Sequence, residues 1–183
     1  METIDDKQLQ QMLLNKDTRR RGFELMVRQY GEKLYWQVRR IVVVHEDADD
    51  VLQNAFLKSW NAIDTFHGDS KLFTWISRIA INEALDFLRR QKNRPTLSTD
   101  DVDKGLANQL MADRYFDGDQ TEALLQEAIN TLPEVQRTVF MLRYYDEMKY
   151  SEISQILGTT EGALKASYHI AVKKITDFFH RYD

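Results

Sequence analysis

Glu161, Lys165, His169 and Lys173 recur at four-residue intervals in the 183-residue sequence. On a helix that spacing puts them on one face, from which charged and hydrogen-bonding heads reach phosphates and base edges. Thr159 and Thr160 stand just before them, small hydroxyl side chains suited to a helix entrance and to close approach of a phosphate. A second set, Arg78, Asn82, Asp86, Arg89 and Arg90, also follows helical spacing. It lies close in sequence to Phe66, His67, Ser70 and Trp75 in DTFHGDSKLFTW. Rings beside arginines suit single-stranded nucleic acid, because a base stacks on the ring while cations track the backbone. Phe73 and Trp75 cannot both face inward, so one ring is expected at the surface beside Arg78, Arg89 and Arg90; a large residue covering the core edge is the alternative. The loop from Asp64 to Ser70 has the aromatic, glycine and hydrogen-bonding content to receive a base drawn out of the stack. A plain connection between helices is its bland reading.

Other chemistries find less support. The run His45–Glu46–Asp47–Ala48–Asp49–Asp50 looks metal-like, but adjacent carboxylates in one helical turn point in different directions. No second ligand stands at Glu-x-x-His or His-x-x-x-His spacing. Favourable placement of acids at a helix amino terminus accounts for Asp47, Asp49 and Asp50. No glycine-rich phosphate loop and no nucleophile–base arrangement can be argued from spacing. Catalytic residues, a metal and a cofactor are therefore not expected.

These candidates need helices to position them. Seven Gly, two Pro, 43 % apolar and 30 % charged residues fit an all-α soluble fold. The absence of Cys excludes disulfides and thiolate metal sites. The opening METIDDKQLQQ lacks the pattern of a signal peptide, and no apolar run approaches the roughly 20 residues of a membrane span. A cytoplasmic location is expected. In HEDADDVLQNAFLKSWNAID, Ala48, Val51, Leu52, Ala55, Phe56, Trp60 and Ile63 recur at three and four residues, predicting an inward face. LFTWISRIAINEALDFLRR repeats the pattern, and FELMVRQYGEKLYWQVRRIV predicts one long helix or two meeting near Gly31. Residues 93–120, with six Asp, Pro95, Gly105 and Gly118, are too long and polar for an internal loop. They read as a linker, with a helical turn around Leu106–Met111, between domains spanning 1–92 and 121–183. In the second domain, Pro133 begins one helix, Ser151 caps the next, Gly158 ends it, and Thr159 or Thr160 caps the last. Leu164, Tyr168, Ala171 and Ile175 then face inward toward Ile153, Ile156 and Leu157, giving a helix-turn-helix.

Together the segments resemble the extracytoplasmic-function (group IV) sigma factors of bacterial RNA polymerase. DADDVLQNAFLKSW is similar to the family's polymerase-clamp helix. TFHGDSKLFTWISRIAINEALDFLRR resembles its minus-ten reading and melting segment. LPEVQRTVFMLRYYDEMKYSEISQILGTTEGALKASYHIAVKKI resembles its minus-thirty-five domain. The resemblance implies that Asp50, Gln53, Asn54 and Leu57 meet the β′ clamp of core polymerase. It implies that Phe66, Asn82 and the 64–70 loop capture a non-template base, while Arg78, Asp86, Arg89 and Arg90 meet the neighbouring duplex. Thr159, Thr160, Glu161, Lys165, His169 and Lys173 would face the upstream major groove, and the surface near Phe140–Tyr145 the β flap. An anti-sigma factor is the partner expected to hold such a protein inactive, and the factor itself is expected to be monomeric. Two departures stand out. Asn54 replaces a Glu common in relatives, and Ser167, Ile170 and Val172 stand where many carry Arg, as in the variant common among Bacteroidota.

Twenty-five basic against 29 acidic residues, a net charge of −4, would be odd for a stand-alone DNA binder. It is reasonable for two weak readers tethered together and held by a larger enzyme, because engaging one raises the effective concentration of the other. The rival classes are a dimeric operator-binding regulator, for which no long heptad supplies an interface, and a scaffold that binds proteins alone.

Overall fold

A computed structural model describes residues 4–92, 106–112 and 118–181. These residues are helical, with no strand among them, and the chain divides into two compact units, one carrying the helices up to Lys92 and the other those beyond it.

In the first unit α1 (Asp6–Leu14) lies against α2 (Arg19–Val42), and α2 packs with α3 (His45–Ala62) and α4 (Leu72–Lys92) in a three-helix core. Gly31 does not interrupt α2, which runs for 24 residues because flanking Met26, Leu34 and Val38 are all fully buried on one face. The α1 contact requires a glycine: a Cβ on Gly22 would lie 2.8 Å from that of Met12. Val43 joins α2 to α3 at φ 69°, ψ −40°, a γ-turn closed by Val44 N–H donating to the Val42 carbonyl at 2.9 Å. The core is filled by Val51, Ala55, Ile76, Ala80 and Ala84, as the periodicity predicts, and also by Ile81, while the expected inward residues Ile79 and Leu88 are half-buried.

Ionic groups sit within this core too, Arg39 on α2 and Glu83 on α4. Glu83 on α4 is 4 % exposed and accepts from Lys58 of α3 and, at 3.4 Å, from Arg90 of its own helix. Both cations keep more than half of their side chains in water.

The second unit contains α5 (Leu106–Ala112), α6 (Gln120–Asn130), α7 (Glu134–Tyr144), α8 (Tyr150–Leu157) and α9 (Glu161–Phe179). Much of the expected linker, including Pro95 and Gly105, lies outside the described residues. Within it, α5 packs on α6 and buries Leu110. Asp119 caps α6 by accepting from Glu122 N–H at 2.9 Å, and Tyr145 donates to the Glu122 carboxylate at 2.8 Å. The cap of α8 differs from the Ser151 expectation: α8 begins at Tyr150, and Glu152 reaches back to accept from Lys149 N–H at 3.0 Å. Gly158 ends α8 in the left-handed region at φ 65°, a conformation that a side chain disfavours. Thr160, rather than Thr159, caps α9 by accepting from Ala163 N–H at 3.3 Å. Leu164, Ala171 and Ile175 bury the inner face of α9, which packs chiefly on α6 and α7.

Candidate nucleic-acid and polymerase interfaces

On α3, Asp50, Gln53, Asn54 and Leu57 form a continuous exposed stripe, and Leu57 keeps 60 % of its surface in water. A large aliphatic side chain left exposed beside carboxylates and amides needs a partner surface to gain from burial. Gln53 and Leu57 line an open groove of about 540 Å³ with Arg20, Phe23, Glu24, Phe56 and Trp60. Trp60 and Phe23 meet edge to face at 5.2 Å, fixing an apolar floor between α2 and α3. The sequence reading placed Trp60 on the inward face; it is 40 % exposed, because the apolar stripe of α3 is wider than the core it covers. The signal for the groove was that excess width.

The loop after α3 begins with a 3₁₀ turn, Ile63–Thr65. Its anchors are Ile63 and Phe66, both nearly inaccessible, and Leu72, fully buried at the start of α4. Thr65 Oγ1 donates to the Ala62 carbonyl at 2.6 Å. Between the anchors, His67, Gly68 and Asp69 are exposed and Ser70 is half-buried. Gly68 holds φ 79°, so the tip bends in a way that glycine alone adopts freely.

Two aromatic expectations are corrected here. Phe66 is 2 % and Trp75 5 % exposed, and their rings pack together at 5.2 Å between centroids. They support the loop from beneath. The ring nearer the surface is Phe73, which packs on Tyr30 and lies 4.5 Å under the Lys33 ammonium, not beside the arginines of α4.

Along α4, Arg78, Asn82 and Arg89 are exposed at four- and seven-residue intervals, and Asp86 is half-buried. Arg89 donates to Asp86 at 3.1 Å, and Arg90 to Glu83. The two terminal guanidinium groups are thus already engaged by carboxylates on their own helix.

On α9, Glu161, Lys165, His169 and Lys173 are exposed along one stripe, Thr160 is exposed at the entrance and Thr159 half-buried. The Lys165 ammonium lies 5.7 Å from the Tyr150 ring, and the Arg143 guanidinium lies 5.3 Å from that same ring. This cluster of two cations around one aromatic was not legible in the sequence, since it joins residues from α7, α8 and α9. Ile170 and Val172 are 43 % and 38 % exposed. Phe140, Tyr144 and Tyr168 stack at 15° in a column whose outer member, Tyr144, is 52 % exposed. The exposed part of the expected flap surface is therefore Tyr144, Phe140 being buried.

His45 is held by the Tyr35 hydroxyl at 2.7 Å and by Asp49 at 3.4 Å. Among the described residues no group of three or more His, Cys, Asp and Glu side chains is arranged to hold a metal. No helix among them is long and apolar enough to cross a membrane.

Comparison with known proteins agrees with this division. Residues 26–94 match the family "Sigma-70 region 2", and residues 122–175 match "Sigma-70, region 4". The chain is 31 % identical over 169 residues to the RNA polymerase sigma-H factor of Pseudomonas aeruginosa, covering 88 % of this chain and 86 % of that protein. It is 30 % identical to the ECF RNA polymerase sigma-E factor of Escherichia coli over 154 residues, 80 % of each chain. The fold also resembles the sigma factor RpoE solved with the anti-sigma factor NepR from Bartonella quintana, with a TM-score of 0.67 and 20 % identity. That likeness covers 86 % of this chain and 96 % of the other. Two region matches in order, one on each compact unit, and relatives aligned over most of their length lead to one conclusion: the chain belongs to the extracytoplasmic-function group of RNA polymerase sigma factors.

Proposed function

We propose that this sigma factor grips core polymerase through the α2–α3 groove and reads promoters with two separate surfaces. Asp50, Gln53, Asn54 and Leu57 meet the β′ clamp, and Trp60 and Phe23 extend that contact. The loop at 64–70 takes a non-template base of the minus-ten element at its polar tip, with Asn82 and Arg78 beside it. Arg89 and Arg90 meet the adjacent backbone. Thr160, Glu161, Lys165, His169 and Lys173 read the minus-thirty-five element, and Tyr144 meets the β flap. The protein works as a monomer in the cytoplasm, where its polymerase is. An anti-sigma factor masks the polymerase-binding surfaces, a reading supported by the RpoE neighbour having been solved with such a partner.

The observation that carries this reading is the coincidence of each family match with a unit bearing its own exposed polar stripe, α3 and α4 in one and α9 in the other. The test is run-off transcription with purified core polymerase on a library of genomic fragments, with the start sites sequenced. Defined starts sharing two spaced elements are expected when both proteins are present. A tight footprint on duplex DNA without polymerase, covering two half-sites about one helical turn apart, would instead establish a dimeric regulator.

A further inference from the structure

Arg19 sits at the junction of α1 and α2 with 16 % of its side chain exposed, and its guanidinium is used twice. Nε donates to the Leu13 carbonyl at 3.0 Å, one of the carbonyls left without a partner at the end of α1. Nη2 donates to Asp64 at 2.6 Å, in the 3₁₀ turn that opens the 64–70 loop. α1 also touches that turn directly, and Gln10 Oε1 lies 3.8 Å from where a Cβ of Gly68 would stand. At its other end α1 is fastened to α2. Tyr30 donates to Asp6, and Gln29 exchanges hydrogen bonds with the backbone of Ile4 at 3.1 and 3.2 Å. The turn therefore has a fixed support on the α1 side, independent of the buried anchors Ile63 and Phe66.

We infer that Arg19 and Asp64 are positioning residues for promoter opening, coupling the docking of α1 to the placement of the loop that takes the unpaired base. This rests on the reading of that loop given above. Arg19 touches no nucleic acid in this scheme; it acts through Asp64. Asp64 is 75 % exposed, so replacing it disturbs the fold little while releasing the loop.

The experiment uses the full chain with core polymerase and a promoter fragment from the mapped start sites. Permanganate reactivity of unpaired thymines follows opening, and anisotropy of the labelled factor follows binding to core. Asp64→Asn and Arg19→Gln are expected to slow opening about tenfold, in line with the cost of slight misplacement of a reacting group. Affinity for core should be unchanged for both. The double variant should be no slower than either single one, because the two residues act as one tether. Arg19→Lys, which keeps the ion pair, should recover most of the rate. Opening at the normal rate in Asp64→Asn overturns the inference, as does additive slowing in the double variant. His67→Ala with Asp69→Ala, at the loop tip, separates the two ideas. If the tip variant slows opening while Asp64→Asn does not, the tether alone is wrong. If neither slows it, the tether falls together with the reading of the loop.

Discussion

Exposed lysines and arginines are ordinarily the safest residues to remove, since surface ion pairs contribute about 0–1 kcal/mol. The trio Lys58–Glu83–Arg90 should reverse that rule. Its carboxylate is 4 % exposed, whereas both cations are more than half exposed. At 3.4 Å and an effective dielectric near 20, one such pair is worth about 5 kcal/mol of Coulomb attraction. Desolvation of the buried carboxylate, several kcal/mol, takes back most of this. Glu83→Gln removes attraction and penalty together while keeping an acceptor for Lys58. A net loss of about 1 kcal/mol is expected. Lys58→Met combined with Arg90→Met leaves the charge buried without its partners, at about 3–5 kcal/mol. The single anionic site should thus tolerate replacement better than its two exposed partners together. Urea denaturation followed by tryptophan fluorescence gives the measurement. Trp36, Trp60 and Trp75, the three tryptophans of the chain, all lie in the first unit, so the signal reports that unit within the intact protein. If the double cation variant loses no more than Glu83→Gln, the carboxylate is not acting as a buried charge and the reasoning fails.

Other expectations follow from local geometry. Gly158→Ala should destabilise the second unit by about 1 kcal/mol, through the left-handed φ at the end of α8, seen as a lower melting temperature by circular dichroism. Burial raises the pKa of the Asp47 carboxyl; the Gln91 hydrogen bond opposes this, and Asp50 and Glu46 add to the rise. The folded state therefore binds that proton more tightly than the unfolded one, and ionised Asp47 opposes folding increasingly as pH rises through its folded pKa. Asp47→Asn should raise the urea midpoint of the first unit at pH 7 and lose that advantage below about pH 3.8. Lys173→Ala should leave core binding intact and reduce the salt slope of holoenzyme binding to its promoter by about 1, as expected for one phosphate contact.

The helices of both units were legible because their apolar residues repeat at three and four positions, and the family motifs supplied the reading surfaces that are proposed. What the sequence left undecided was which of two rings faces inward. Phe73 and Trp75 compete for one core position on α4, and Trp75 occupies it because Phe66, nine residues earlier, packs against it. Such a choice depends on contacts across a loop, which periodicity along one helix does not contain. α1 was missed for a related reason. Its nine residues bury just Leu9 and Leu13, too short a pattern to stand out, and its order comes from tertiary anchors at Gly22, Tyr30 and Arg19. The groove on α3 was half visible: Gln53 and Leu57 came from the motif, while Phe23 belongs to another helix.

Under the proposed function, the carboxylates that engage Arg89 and Arg90 bear on how this acidic protein avoids chance binding to duplex DNA. A phosphate reaching either guanidinium exchanges one anion for another, so a chance encounter gains little and releases few counterions from the cation's own surroundings. Full benefit comes when the backbone is held where it displaces Asp86 and Glu83 without strain. If the proposed contacts hold, the end of α4 would work as a threshold against incidental duplex, with polymerase supplying the alignment that carries the correct strand past it.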